Sequence, residues 1–341
     1  MVMYQGRLFS VDVILVICLA SAWLIEIVLG SPRFLPKPSR FVERFVKASA
    51  DRVLALVERV SGTGATSKAP PECDAVAPRP SGRWAGVFLA FYLVSFSFIV
   101  TAALIDLAHR LHPAYYYLAN ILVFYRALNT RAAADKAAFA RRGLRGPEDG
   151  DGVHNIIAQL SKNCLDGVCA PMLYVSVGML FGVPAALAAA YGALSILVGV
   201  VGDKNSEYDG IGWAAAKLDG AANFLPARLC GIILPLLAPF CGMGVGGMVR
   251  GFRATREPHS VREYSKNYTS PNDAWPAAAF AGVLGIKFGR DGYDYSADAA
   301  GNGAKTPGMK DIGKAAGLML ASSLATLAAC CGALLFYAIS G

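Results

Sequence analysis

Long apolar stretches that alternate with basic, Gly- and Pro-punctuated segments constrain this chain more than any other feature. A helix needs about 20 mostly apolar residues to cross a bilayer. Val11–Leu29, Ala85–Ala108 and Ile312–Ile339 meet that requirement cleanly. Three further stretches are apolar but short or interrupted. Ala114–Phe124 is too brief to cross unaided, and Ala170–Val201 is broken at Gly182-Val183-Pro184. Leu229–Val249 carries Pro235 and Pro239 and runs through the glycine-rich segment from Gly242 to Gly247. Only 16% of the 341 residues are charged and 55% are hydrophobic, against about 25% charged in a soluble domain. The expected fold is an all-α polytopic membrane protein with about 4–6 membrane segments, some of them broken or re-entrant helices, and polar loops on the cytoplasmic side. Little positive charge precedes Val11–Leu29 and no small-residue cleavage site follows it, so it is read as a helix and not as a signal peptide.

The basic residues set the orientation. Arg33, Lys37, Arg40, Arg44, Lys47, Arg52 and Arg59 follow the first apolar stretch. Arg126, Arg131, Lys136, Arg141, Arg142 and Arg145 follow Ala114–Phe124, and Arg250, Arg253, Arg256, Arg262 and Lys266 follow Leu229–Val249. Cytoplasmic loops carry such an excess of Lys and Arg. All three loops are therefore expected in the cytoplasm, with the protein in the cell inner membrane and the two broken segments each returning to the side they left. The net charge of +8 is read as topology and not as a nucleic-acid footprint, because it lies beside apolar segments. The implied organisation is a first transmembrane helix with a basic amphipathic segment over 1–60 and a flexible Gly/Pro linker over 61–84. A membrane core over 85–341 follows, with motif loops at 126–169, 202–228 and 250–311 and a last transmembrane helix over 312–339. Cys164 and Cys169 lie five apart with no neighbouring His or Cys in the sequence, so no zinc site is expected there.

Four polar stretches do not look like ordinary connections. The fourth is the Gly-rich Tyr293 to Gly308; the three that carry the argument are Ser161 to Pro171, Asp203 to Arg228, and Ser270 to Pro276 continuing to Gly285. Lys204, Lys217 and Arg228 are cations close to apolar segments, where an anion would be held strongly. Asp166, Asp219, Asn163, Asn205, Asn223 and Asn272 are oxygen ligands suited to Mg²⁺ or to a phosphate-rich substrate. Asp219 and Asn223 are four apart and share a helix face. Glu26, Asp12 and Asp106 sit near the edges of spanning segments, where an ionisable residue is a functional candidate by default.

These stretches resemble the adenosylcobinamide-phosphate synthases, a membrane-bound family of cobalamin biosynthesis. The resemblance covers most of the chain. It begins at Gly30-Ser31-Pro32 to Pro36-Lys37-Pro38, continues through His112-Pro113 and Arg126-Ala127-Leu128, and is most specific in two runs. One spans Lys204-Asn205, Tyr208, Gly212-Trp213-Ala214-Ala215-Ala216-Lys217-Leu218-Asp219, Ala222-Asn223 and Pro226-Ala227-Arg228-Leu229. The other is Ser270-Pro271-Asn272, Trp275-Pro276 and Ala281-Gly282 to Leu284-Gly285. The resemblance implies ATP- and Mg²⁺-driven amide formation between adenosylcobyric acid, a corrinoid, and aminopropanol or its phosphate. On that basis Asp166, Lys204 and Asp219 are the catalytic candidates, with Asp166 and Asp219 as possible metal ligands. Asn163, Asn205, Tyr208, Trp213, Lys217, Asn223, Arg228, Ser270, Asn272 and Trp275 are the candidates for substrate or nucleotide binding. The implied partners are the bilayer, the corrinoid substrate and a second copy of the chain or an active paralogue.

The chain also departs from the family pattern. Where that pattern has two Glu before its Asp-Gly, this sequence reads Ala158-Gln159-Leu160-Ser161-Lys162-Asn163, so that one Glu position is Ala158 and the other Lys162. Ser195-Ile196-Leu197-Val198 stands for Asn-Thr-Leu-Asp, and Ala277 for a further Glu. Mg²⁺ depends on hard anionic oxygens, so these losses support a second expectation, a diverged homologue that binds a corrinoid or another amphipathic ligand without catalysis. The broken helices also admit a transporter, but the sequence shows no paired inverted halves.

Overall fold

The computed structural model describes residues 12–30, 38–60, 80–144, 150–202, 208–256, 271–287 and 305–340. Lys204, Asn205, Ser270, most of the 61–84 linker and the Gly-rich stretch after Tyr293 lie outside these residues. The described chain is helical throughout, and the parallel bridge between Ile286 and Lys305 is the one strand-like pairing within it. In chain order the helices are α1 (Val13–Leu29), α2 (Pro38–Val60), α3 (Pro80–Leu111), α4 (Pro113–Ala127), α5 (Thr130–Arg142), α6 (Gly150–Cys164), α7 (Ala170–Leu180), α8 (Pro184–Val201), α9 (Asp209–Ala222), α10 (Phe224–Leu237), α11 (Gly244–Arg256), α12 (Ala274–Leu284) and α13 (Met309–Ser340). A π-helical turn, Leu165–Cys169, joins α6 to α7, and a 3₁₀ turn, Pro271–Asp273, leads into α12.

Among the described residues four helices are long and apolar enough to cross a membrane: Gly82–Leu111, Asp151–Leu180, Pro184–Val201 and Met309–Ser340. The pair Ile211–Ala222 and Phe224–Leu237 passes the same test together but is bent by 51°, as a broken span or re-entrant loop is. The all-α polytopic expectation is met. Its details shift in three places. Helix α1 is a shorter apolar helix, beginning at Val13 behind its Asp12 cap, whose carboxylate accepts from the Ile14 N–H at 2.9 Å. The broken Ala170–Val201 segment is a hairpin, turned at Gly182 with φ of +73°, but its first leg starts at Asp151 and not at Ala170. The stretch 126–169, read from its charges as a loop, is mostly helix, because α5 and α6 bury alanines, Val153, Ile156, Ile157 and Leu160 on one face and leave their charges on the other.

Burial separates central from peripheral spans. In Gly82–Leu111 only 17% of the apolar window is buried by the protein, against 67% in Asp151–Leu180. Phe88, Phe91, Ile99 and Leu104 of α3 are exposed, a lipid-facing surface, whereas the α6–α7 rod runs through the main core. That core gathers α1, α4, α6, α7, α10, α12 and α13 around Phe124, Leu165, Met172, Phe280 and Met319. A smaller core joins α2, α3, α8 and α9. There α2 is amphipathic as expected, with Val46 and Ala50 buried beside Leu89, Leu93 and Leu197. Close approach needs small residues: a Cβ on Gly86 of α3 would lie 2.3 Å from the Ile211 carbonyl of α9.

Candidate functional site

Two helix breaks face one another at the centre of the fold, and each follows from a proline. Pro171 has no N–H to offer the carbonyl four residues earlier, that of Gly167. The chain accommodates this by widening: the Ala170 N–H reaches back five residues to Leu165, the mark of a π turn. The Gly167 carbonyl accepts instead from the Asn129 N–H at 3.0 Å. Pro226 likewise leaves the Ala222 carbonyl without its helical donor, and the Tyr174 hydroxyl donates to it at 3.0 Å. Buried backbone groups need such partners. Non-helical backbone at membrane depth is tolerated only where protein or a water-filled cavity surrounds it.

The breaks bring Asp166 and Asn223 together. The Asn223 amide donates to Asp166 Oδ1 at 3.3 Å and to Asp219 Oδ1 at 2.9 Å. The Tyr191 hydroxyl from α8 lies 3.3 Å from Asp166 Oδ1 and 3.0 Å from Asn223 Oδ1. Tyr191 stacks on Tyr174 with ring centroids 4.8 Å apart. On the other side of the π turn the Asn129 amide donates to Asn163 Oδ1 at 2.8 Å, and the Asn163 amide donates to the Asn129 carbonyl at 2.9 Å. Gly167 makes room for this clasp, since a Cβ there would stand 2.7 Å from Asn163 Oδ1.

A cavity of about 370 Å³ opens against this frame. Its wall includes Glu26, Arg126, Asn129, Lys136, Asn163, Asp166 and Tyr191. Glu26 is committed to structure: it is buried, and its two carboxylate oxygens accept from the Arg131 N–H at 2.8 and 3.1 Å. It thereby caps α5, whose own N-cap residue Asn129 makes no side-chain cap bond. Asp166 is left as the cavity carboxylate on which a hard cation would rest. Mg²⁺ is commonly held by one or two carboxylates together with substrate phosphates, and Arg126 and Lys136 share this wall. The donor set fits that ion and a phosphate-bearing ligand.

The remaining candidates divide. Asp219 is buried behind Asn223 and orients it from outside the cavity wall. The Asn272 amide donates to the Gly220 carbonyl at 2.6 Å and so ties the 3₁₀ turn to α9. Its neighbour Asp273 is buried and lies 3.4 Å from Lys162 Nζ. Burial pushes the Asp273 carboxyl up to about 6, with Lys162 opposing the rise and Asp219 adding to it. Arg228 and Trp275 form a separate group, the guanidinium 5.0 Å from the Trp275 ring and 3.3 Å from that of Phe224. Lys217 is exposed, Trp213 packs under Arg83 at 5.3 Å, and the Tyr208 hydroxyl bonds Asp51 of α2. Sequence reasoning flagged Glu26 only as an intramembrane acid, Lys136 only as a topology charge, and Arg126 as a topology charge and a point of the resemblance but not as a site residue. It passed over Asn129, Tyr191 and Asp273, and nothing local marks Tyr191 in its apolar helix. It also found no partner for Cys164 and Cys169, whereas the fold places Cys230 beside both, with the three sulfurs within 4.8 Å of one another.

A family model described as CobD/Cbib protein matches residues 153–319, which spans the π turn, both helix breaks and α12. The cobalamin biosynthesis protein CobD of Geobacter metallireducens is 32% identical over 281 residues, covering 79% of this chain and 80% of that protein. The chain belongs to the CobD/CbiB family. The family's CobD from Klebsiella pneumoniae is 29% identical over 331 residues, covering 89% of this chain and 93% of its own length. The cobalamin biosynthesis protein CbiB of Salmonella typhi is 27% identical over 288 residues. No solved structure matches the chain.

Proposed function

We propose that this CobD/CbiB family member serves cobalamin biosynthesis as an amide-forming enzyme of the inner membrane. It joins aminopropanol or its phosphate to a carboxylate of adenosylcobyric acid, with ATP as the energy source. The observation that carries this reading is the single cavity that combines Arg126 and Lys136 with the hydrogen-bonded carboxylate of Asp166. ATP-driven amide formation requires two reactants held in register and the charge on a phosphoryl group steadied as it leaves. Arg126 and Lys136 would hold the phosphate. Asp166, fixed in place by Tyr191 and Asn223, would hold Mg²⁺, and when bound that ion neutralises charge developing on the phosphate oxygens. The Asn129–Asn163 clasp fixes an adjoining part of the wall. A cavity of about 370 Å³ suits the amine or a set of phosphates, and a corrinoid ring would lie across its mouth. Basic loops on the cytoplasmic side would place the mouth where ATP is available.

Lys162 favours a second reading. It puts an ammonium group against Asp273, and this built-in cation suits a homologue that binds a corrinoid, alone or beside an active paralogue, without turning it over. The purified protein given adenosylcobyric acid, aminopropanol or its phosphate, ATP and Mg²⁺ separates the two. Amide product with stoichiometric ADP or AMP release supports the enzyme; saturable corrinoid binding without product supports the binder; neither result removes both.

A further inference from the structure

The fold assembles a cluster of thiols that the site above does not use. Cys164 and Cys169 are five residues apart, and the π turn between them brings residues at that spacing onto one face. Cys230 of α10 meets them there. The three Sγ atoms all lie within 4.8 Å of one another, and all three residues are buried. Three sulfurs bound to one ion at roughly 2.3 Å stand roughly 4 Å apart, so slight closure of this triangle suffices. The outer groups suit sulfur ligands as well. Ser322 Oγ lies 3.1 Å from Cys164 Sγ and Thr326 Oγ1 lies 3.4 Å from Cys169 Sγ. Ser322 and Thr326 are one turn apart on α13, so a single helix face presents both hydroxyls to the cluster. The Ser322 hydroxyl donates to the Met319 carbonyl at 2.7 Å and so accepts from the Cys164 thiol here; turned toward a thiolate, the hydroxyls would orient and stabilise it.

Among the described residues no carboxylate or imidazole joins the group. An all-sulfur set selects a soft ion, and three sulfurs without a fourth ligand fall one short of the tetrahedral set that structural zinc sites complete. We propose that Cys164, Cys169 and Cys230 form a closed, three-coordinate site for a thiophilic monovalent cation, Cu⁺ being the ion of that class. Binding breaks the three S–H bonds, releases three protons and forms three Cu–S bonds without change of oxidation state. Three thiolates and Cu⁺ leave a net charge of −2, which the Ser322 and Thr326 hydroxyls beside Cys164 and Cys169 would offset in part by turning their hydrogens to the sulfurs.

The full-length protein, purified in detergent under anaerobic reducing conditions, is titrated with Cu⁺ supplied as its acetonitrile complex against a chromogenic Cu⁺ chelator. One equivalent should resist the chelator, and X-ray absorption should show sulfur neighbours alone. Cys164→Ser, Cys169→Ser and Cys230→Ser should each weaken binding by about 100-fold or more, and Ser322→Ala with Thr326→Ala by about 10- to 100-fold. Cys18→Ser, in a different part of the core, should leave it unchanged. A wild-type protein that yields all its Cu⁺ to the chelator, or that holds it through nitrogen or oxygen, overturns the proposal whether or not the variants fold. So does a Cys18→Ser variant that weakens binding as much as the cluster variants do.

Discussion

Asp166, Asn163 and Gly167 occupy one turn, and each is legible in the sequence for a different reason. The two polar residues stand out in an apolar setting, and the glycine belongs to the same motif. What the sequence does not disclose is the company they keep. Asn129 and Tyr191 come from helices distant in the chain, so no local spacing links them to the π turn. The clasp over Gly167 yields a first prediction. Gly167→Ala would set a Cβ 2.7 Å from Asn163 Oδ1, and the displaced clasp should cost about 1–3 kcal/mol. A thermal melt in detergent should show that loss, while Gly192→Ala, where a Cβ meets nothing within 4 Å, should change little. Asp273 yields a second. Folding raises its carboxyl to about 6, so below that pH the folded chain keeps a proton that the unfolded chain has lost down to about pH 4. This contribution to stability is complete below about pH 4 and is lost as pH rises through about 6, on the order of 3 kcal/mol in all. Melts from pH 4.5 to 7 should therefore fall with pH, and Asp273→Asn should flatten that fall. An unchanged slope would remove Asp273 from the account.

At the scale of elements, the interruptions were visible as prolines and glycines, and their consequences were visible only in part. Gly182-Val183-Pro184 signals the hairpin that forms. The bend of 51° at Asn223 falls in a stretch whose charges suggested a loop, and its cause, Pro226, sits inside a helix start where proline is unremarkable. The π turn carries no propensity signal of its own; it follows from Pro171 only once the surrounding helices are packed. The same hydrogen-bond accounting makes a third prediction. Tyr174→Phe deprives the half-buried Ala222 carbonyl of its donor, and loss of such a bond costs about 1 kcal/mol. Differential scanning fluorimetry should detect that loss, with Tyr115→Phe, at an exposed position, as the unaffected control.

For the whole molecule, composition and hydropathy sufficed for the fold class, because a bilayer admits few ways to satisfy a backbone. They did not suffice for the role of α6, whose polar face disguised the first half of a 30-residue span. The motif residues also part company in space. Asp166 and Asn163 reach the cavity and Asp219 and Asn223 support it, whereas Lys217 and Trp213 lie on an outer face near α3. Function is thus expected at the cavity and not along the motif as a whole. Turnover of adenosylcobyric acid with aminopropanol phosphate, ATP and Mg²⁺ tests this most directly when Asp166→Asn is compared with Lys217→Ala. A loss on the order of 100-fold or more is expected for Asp166→Asn, with nearly unchanged turnover for Lys217→Ala. Full activity in Asp166→Asn, with activity abolished in Lys217→Ala, would contradict this and move the chemistry to the outer face.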